Sequence, residues 1–340
     1  MRWGRRAAVL RANQAVRLGL RAASRNPELS FGKALLDALG TALSMLPWLL
    51  AAALIAGAAG HREPLLGLAI AAAALGQMRW ALLGGALAAG AISWTLGMAF
   101  WAGALPVLAA DAELQRRPPP GHFWPLALRG FARVAAAGAV AYGLLLAFAV
   151  SLGVAALAGS ATMLVRATPG AVALLALAGS FGLVGGILLD ALVRLMLVRA
   201  AAFGDGATAA FTHASGFLGR RPGACVAVQL AFMLLQLVVA TAAGLFTGIL
   251  WSGFDPEIFL LAVPPRLAAG LAFGAVFAWL EVARQGALAA LIADEEGLLE
   301  LPPEPPPPSP APAVLERPEV VEALPVVDAL PAPPGDDDEC

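Results

Sequence analysis

VAAAGAVAYGLLLAFAVSLGVAALAGSATMLV, residues Val134–Val165, runs without a single charged side chain. About 20 apolar helical residues cross the hydrocarbon core of a bilayer, so this stretch reads as a membrane span. The same reading applies to the uncharged stretches Ala38–Gly60, Trp80–Ala110, Ala167–Leu189 and Pro222–Phe254. A sixth stretch, from Leu267 to about Ala293, is broken only by Glu281 and Arg284. The expected fold is therefore all-α. It is a polytopic membrane protein of six transmembrane helices, with amphipathic cytoplasmic helices and a disordered C-terminal tail.

Composition excludes a soluble domain. Hydrophobic residues make up 60% of the chain and charged residues 13%, against about 25% charged in a typical soluble domain. The basic residues are 21 Arg and one Lys; with the abundance of Ala, that bias points to a GC-rich bacterial genome. Charge is also unevenly placed. Seven Arg and one Glu fall in the first thirty residues, whereas Asp294–Cys340 holds thirteen acids and only Arg317 as a base. Three regions follow: a basic amphipathic interfacial segment at 1–30, the bundle at 31–299 and a Pro-rich acidic tail at 300–340. In the first, Trp3, Val9, Leu10, Val16 and Leu20 alternate with arginines, a pattern suited to an anionic membrane surface. Charges recur up to Lys33, so no cleavable leader is expected. In the third, Pro305–Pro308 and the surrounding prolines rule out a helix, while Val314–Leu330 offers a docking motif for a protein partner.

Basic residues favour the cytoplasmic side. With the N-terminus inside, eighteen basic residues lie on inner segments and four, Arg62, Arg79, Arg166 and Arg266, on outer ones. Both termini are then cytoplasmic, in a bacterial inner membrane. Pro64–Met78 is uncharged but short for a span, and is read as an external interfacial or re-entrant lid. Trp80 and Trp251 are read as outer-interface anchors.

A weak repeat precedes the odd-numbered spans: AVRLGLRAASRNP at Ala15–Pro27, AFTHASGFLGRRP at Ala210–Pro222, and a looser WPLALRGFARV at Trp124–Val134. It implies three units, each an amphipathic helix, a span out and a span back.

Ionisable residues inside a span are costly and mark candidate sites. Three pairs share a helix face at i,i+3 or i,i+4 spacing: Lys33 with Asp37, Asp190 with Arg194, and Glu281 with Arg284. Gly182 with Gly186, and Gly270 with Gly274, have the spacing of close helix packing. Gly84, Gly85, Gly90, Gly97 and Gly103 stud the second span, and Pro47 and Pro106 are expected to kink their helices. Enzyme chemistry finds no footing. His61, His122 and His213 lie outside the spans, no HExxH or Walker A sequence occurs, and Ser180 has no base on a span to activate it. Cys225 and Cys340 form no disulfide or zinc pattern. No cofactor, metal or nucleic-acid partner is expected; membrane lipids are.

RLGLRAASRNPELSFGKAL (Arg17–Leu35), FWAGALPVLAADAELQRRPPPGHFWPLALRGFARV (Phe100–Val134) and GDGATAAFTHASGFLGRRPG (Gly204–Gly223) together give a layout that resembles bacterial six-helix membrane proteins, including the membrane domain fused to some glycerophosphodiester phosphodiesterases. The resemblance covers about Ala15 to Gly297 and implies the bundle alone, since the catalytic barrel of those enzymes is absent. The expected function is a non-enzymatic envelope scaffold organising lipids or partners. The alternative is a transporter or permease-like subunit with a polar path lined by Asp37, Asp190 and Glu281. Acids that face one another inside the bundle favour transport; charges turned to the cytoplasmic interface favour the scaffold. The topology has a direct test. A membrane-impermeant thiol reagent added to intact cells is expected to leave Cys340 unlabelled, and its labelling would overturn the inward placement of the tail.

Overall fold

The computed structural model describes residues 10–59, 64–114, 122–165, 169–252 and 259–299. The tail, with its docking motif, and Trp3 and Val9 lie outside the described residues. Met1–Glu300 is one compact unit, and among its described residues every regular element is a helix. Two are short and amphipathic, α1 (Ala12–Arg25) and α6 (Ala207–Arg220). Six are long and apolar enough to cross a membrane: α2 (Pro27–Ala59), α3 (Pro64–Leu114), α4 (Phe123–Val165), α5 (Pro169–Ala202), α7 (Pro222–Ser252) and α8 (Phe259–Glu295). The chain is an all-α polytopic membrane protein. Proline opens α2, α3, α5 and α7, where its fixed φ suits the first helical residue and its missing N–H costs nothing.

The spans pair as three antiparallel hairpins, α2/α3, α4/α5 and α7/α8. Each is held by side-chain contacts between its two helices. A Cβ on Gly40 would touch Ser93 and one on Gly85 would touch Pro47, joining α2 to α3. Leu152 and Phe148 of α4 press on Gly182 and Gly185 of α5, and the Phe246 and Phe273 rings meet edge-on, 6.1 Å apart, between α7 and α8. Both amphipathic helices lie at one end of the spans, called basal below; the opposite end is distal.

Packing is confined to the basal half. Buried side chains run from Met98 to Ala112 on α3, Ala127 to Ala141 on α4, Ala191 to Ala201 on α5, Cys225 to Phe232 on α7 and Ala278 to Ala293 on α8. Distal of these limits the described residues are exposed or half-buried, and only Ala89, Gly159 and Ala269 among them are buried. The hairpins thus fuse at their bases and leave apolar surface open above. In a bilayer such surface costs nothing, because lipid tails are as apolar as leucine.

Two expectations change. Pro64–Met78 is no separate lid: it forms the first turns of α3, an unbroken helix of 51 residues, about 76 Å long at 1.5 Å per residue. Trp80 accordingly lies within α3, well away from its start. Pro47 and Pro106 interrupt neither of their helices, and Pro264 and Pro265 likewise lie inside α8. And the glycines the spacing picks out are only partly at helix contacts: Gly182 is pressed by α4, Gly85 meets Pro47 and Gly103 meets Phe123, while a Cβ added to Gly186, Gly270, Gly274, Gly84, Gly90 or Gly97 would meet nothing within 4 Å.

The N-terminal segment is more than a surface helix. Ala15, Gly19, Ala22 and Ala23 form a buried stripe of small residues on α1, while Val16 and Leu20 stay half-buried. The stripe meets α8 backbone to backbone. A Cβ on Gly19 would run into the Ala283 carbonyl and come within 2.7 Å of the Ala287 nitrogen, and Gly286 faces Gly19 from the other side. Only glycine permits that approach. Gly19→Leu is therefore expected to lower stability by about 1–3 kcal/mol or more, the usual cost of overpacking, whereas Gly84→Leu, in open space, leaves it nearly unchanged. Thermal unfolding of both variants in detergent is the check; equal losses would show that the α1–α8 seam carries no stability.

Candidate functional site

The three expected charge pairs all form. Lys33 Nζ lies 2.6 Å from Asp37 Oδ2, Arg194 Nε donates to Asp190 Oδ2 at 2.9 Å, and Arg284 Nη2 donates to Glu281 Oε2 at 3.2 Å. Two of the pairs also fuse across helices. Arg194 Nη1 reaches Glu281 Oε1 at 3.0 Å, and Arg284 Nη1 lies 3.5 Å from Asp190 Oδ2. Each guanidinium thus touches both carboxylates, closing a ring of four charges between α5 and α8. Gln229 of α7 joins it, its Nε2 donating to Asp190 Oδ2 at 3.0 Å. Lys33 of α2 and Tyr142 of α4 are near enough to Glu281 to interact with it electrostatically. Asp37 bonds only Lys33 among the described contacts and does not enter the ring.

The ring lies where the packed half ends. Asp190 immediately precedes the buried run of α5, Gln229 lies one turn inside the limit on α7, and Glu281 just inside that on α8. It therefore forms a floor of paired charges at the distal limit of the packed half. Isolated charges at this depth cost about 2.5–3.5 kcal/mol each even on lenient insertion scales. Each guanidinium offsets part of that with one charge-assisted bond to each of the two carboxylates.

A second polar layer ties the basal ends together. Asn26 and Arg221, the single residues joining α1 to α2 and α6 to α7, adopt the same backbone conformation (φ −119°, ψ 62° and φ −129°, ψ 50°). Each N–H returns to the carbonyl four residues back, Ala22 at 3.1 Å and Phe217 at 2.9 Å. Each side chain is held by an acid at the basal end of its own hairpin's returning span: Asn26 Nδ2 donates to Asp111 Oδ2 at 3.1 Å, Arg221 Nη1 to Asp294 Oδ2 at 2.7 Å. Ala15, Gly19 and Ala22 on α1 match Ala210, Ala214 and Phe217 on α6 as the buried stripe. Trp124–Val134, the looser third copy, has no joint; it is simply the start of α4.

Arg199 is the remaining basal anchor. Its Nε donates to Asp205 at 2.9 Å, Nη2 meets His213 Nδ1 at 2.9 Å, and Nη1 pairs with Glu296. Gly204, at φ +76°, turns the chain so that Asp205 points back, and Arg133 Nη1 donates to the Gly204 carbonyl at 3.1 Å. A cavity of about 300 Å³ lies beside this anchor, between α6 and the end of α8. With Arg199 engaged on three sides, the anchor is a clamp on α5, α6 and α8 and offers no free charge to a ligand.

Sequence reasoning found both members of each fused pair but missed Gln229, Asp111, Asn26 and Asp294. Gln229 and Asp111 sit at helix positions of ordinary composition, Asn26 is a lone residue between two helices, and Asp294 read as part of an acidic tail. Among the described residues no group of His, Cys, Asp or Glu is placed to hold a metal ion. Compared with protein-family models, curated proteins and solved structures, the chain matches none.

Because Arg194 bridges the two helices, Arg194→Ala takes one of two guanidiniums away from each carboxylate and is expected to cost about 3–5 kcal/mol. Pairing it with Glu281→Ala should recover part of that loss, with a coupling of about 0.5–3 kcal/mol. Melting of the two single variants and the double variant in detergent measures it; strict additivity would show that the cross-helix bond stores no energy.

Proposed function

We propose that this chain is a transporter or permease-like membrane protein whose polar path passes the floor ring of Asp190, Arg194, Glu281, Arg284 and Gln229. The observation that carries the reading is the fusion of two pairs. Each pair neutralises itself along its own helix, which is all that stability asks of it. Drawing them together across α5 and α8, where the buried runs of both helices begin, instead makes one polar platform inside the membrane. Ionisable residues inside a span mark substrate and ion pathways. Asp37 is proposed as an outlying member of that path.

The bacterial inner membrane, with α1, α6 and the tail on the cytoplasmic side, is part of the proposal and rests on the distribution of basic residues. So is the kinship with the membrane domain fused to glycerophosphodiester phosphodiesterases, taken as a likeness of bundles without shared catalysis. The scaffold reading draws its own support from the basal joints and the Arg199 clamp, which tie the spans into a firm base for lipids or a partner bound through the tail.

Cysteine accessibility separates the two. Gly186 lies one turn distal of Asp190 on the same face of α5, with nothing within 4 Å of an added Cβ; Val184 is exposed on another face. In a Cys340→Ser background, a charged, water-borne thiol reagent is expected to label Gly186→Cys and spare Val184→Cys. Labelling of neither would leave the space filled by lipid and favour the scaffold.

A further inference from the structure

α1 carries two cations that the packing of the bundle leaves unused. Arg17 and Arg21 are exposed and one turn apart. At about 3.6 residues per turn, both fall on the side of α1 opposite its buried stripe of Ala15, Gly19, Ala22 and Ala23. Elsewhere at the basal end Arg25, Arg199, Arg220 and Arg221 each pair with a carboxylate, and Arg133 holds the Gly204 carbonyl. Arg17 and Arg21 bond none of the described residues.

The joint between α1 and α2 does not call for them. Matched through the linkers Asn26 and Arg221, α6 has Thr212 and Gly216 where α1 has Arg17 and Arg21. Thr212 donates back to the Thr208 carbonyl of its own helix. The same arrangement of helix, linker and span is thus built with no charge at either position. The two arginines are left for something outside the described chain.

Their setting indicates its chemistry. Leu18 and Leu20 lie half-buried on opposite shoulders of α1, to either side of the pair. A basic face between apolar shoulders suits a helix lying in the headgroup layer of a bilayer, and α1 runs beside the span α8. Lipid tails hold no acceptor for a guanidinium. Phosphate oxygens accept its parallel N–H groups in pairs. The i,i+4 spacing sets the two side chains about 6 Å apart at Cβ, close enough to share one headgroup. We infer that the outer face of α1 is a docking surface for an anionic phospholipid of the basal leaflet, its phosphate held by Arg17 and Arg21. The surface is separate from the charge ring, and the inference is independent of the transport reading.

The test is native mass spectrometry of the full chain in detergent, with phosphatidylglycerol and phosphatidylcholine of identical chains as equimolar probes. Phosphatidylglycerol is expected to bind preferentially. Arg17→Gln and Arg21→Gln are each expected to cut that preference about fivefold, the worth of one arginine near an anionic surface. Both side chains are exposed and bond no described residue, so the variants should melt with the parent chain. Arg129→Gln removes another exposed arginine without a described partner, from α4, and is expected to leave the preference nearly unchanged. Equal binding of the two lipids by the parent chain overturns the inference, as does an undiminished preference when Arg17→Gln and Arg21→Gln are combined. An equal loss in Arg129→Gln would make the preference a matter of total charge and likewise refute the site. Inorganic phosphate is the third arm: displacement of phosphatidylglycerol by equimolar phosphate would mark a site for free anions and overturn the lipid.

Discussion

Everything in the basal half depends on satisfying charge where water is scarce. An unpaired guanidinium or carboxylate inside a span is costly, and the cheapest remedy is a partner one turn away. The chain uses that remedy three times, then adds a second bond from Arg194 to Glu281. Once α5 and α8 share a guanidinium, their rotation about their own axes is fixed. The buried faces of both helices, Ala191–Ala201 and Ala278–Ala293, follow from that orientation. α7 is brought in through Gln229, and α1 lies along α8 because Gly19 and Gly286 let two backbones touch.

The basal joints show the same economy applied twice. A helix of 14 residues, one linking residue and a proline-led span recur at α1/α2 and α6/α7. In each, an acid near the end of the returning span catches the linker's side chain. The linker is Asn in one and Arg in the other, so the equivalence lies in backbone shape and in the acid's position more than in residue identity.

The six spans were legible because uncharged runs beyond 20 residues have one physical meaning. The pairs Lys33/Asp37, Asp190/Arg194 and Glu281/Arg284 were legible because i,i+3 and i,i+4 spacing is local. What lay hidden was non-local. Nothing in the spacing of Asp190 and Glu281 says that α5 and α8 are neighbours, and Gln229 gives no signal of its own. Pro64–Met78 misled for a different reason. Its separation from the second span rested on Arg79, yet Arg79 stacks over Trp80 and a helix passes one such charge without ending. The glycine spacings misled because Gly-x-x-x-Gly marks where helices are able to touch, and α8 offers Gly270 and Gly274 to open space.

The backbone N–H of Leu10 donates to the Asp294 carboxylate at 3.1 Å, a bond between residues 284 apart. Asp294 also holds Arg221, and Glu296 holds Arg199. During synthesis the first helix emerges long before these acids exist, so α1 and α6 wait at the membrane surface with their partners unmade. Loop closure over so long a stretch is entropically slow. The final turn of α8, capped by Gly297 at φ +70° with the Leu298 N–H returning to the Ala293 carbonyl, acts as the latch. A ribosome that stalls before Asp294 would release a chain with every span inserted and its base unfastened, a form that a protease at the membrane surface can tell from the finished one.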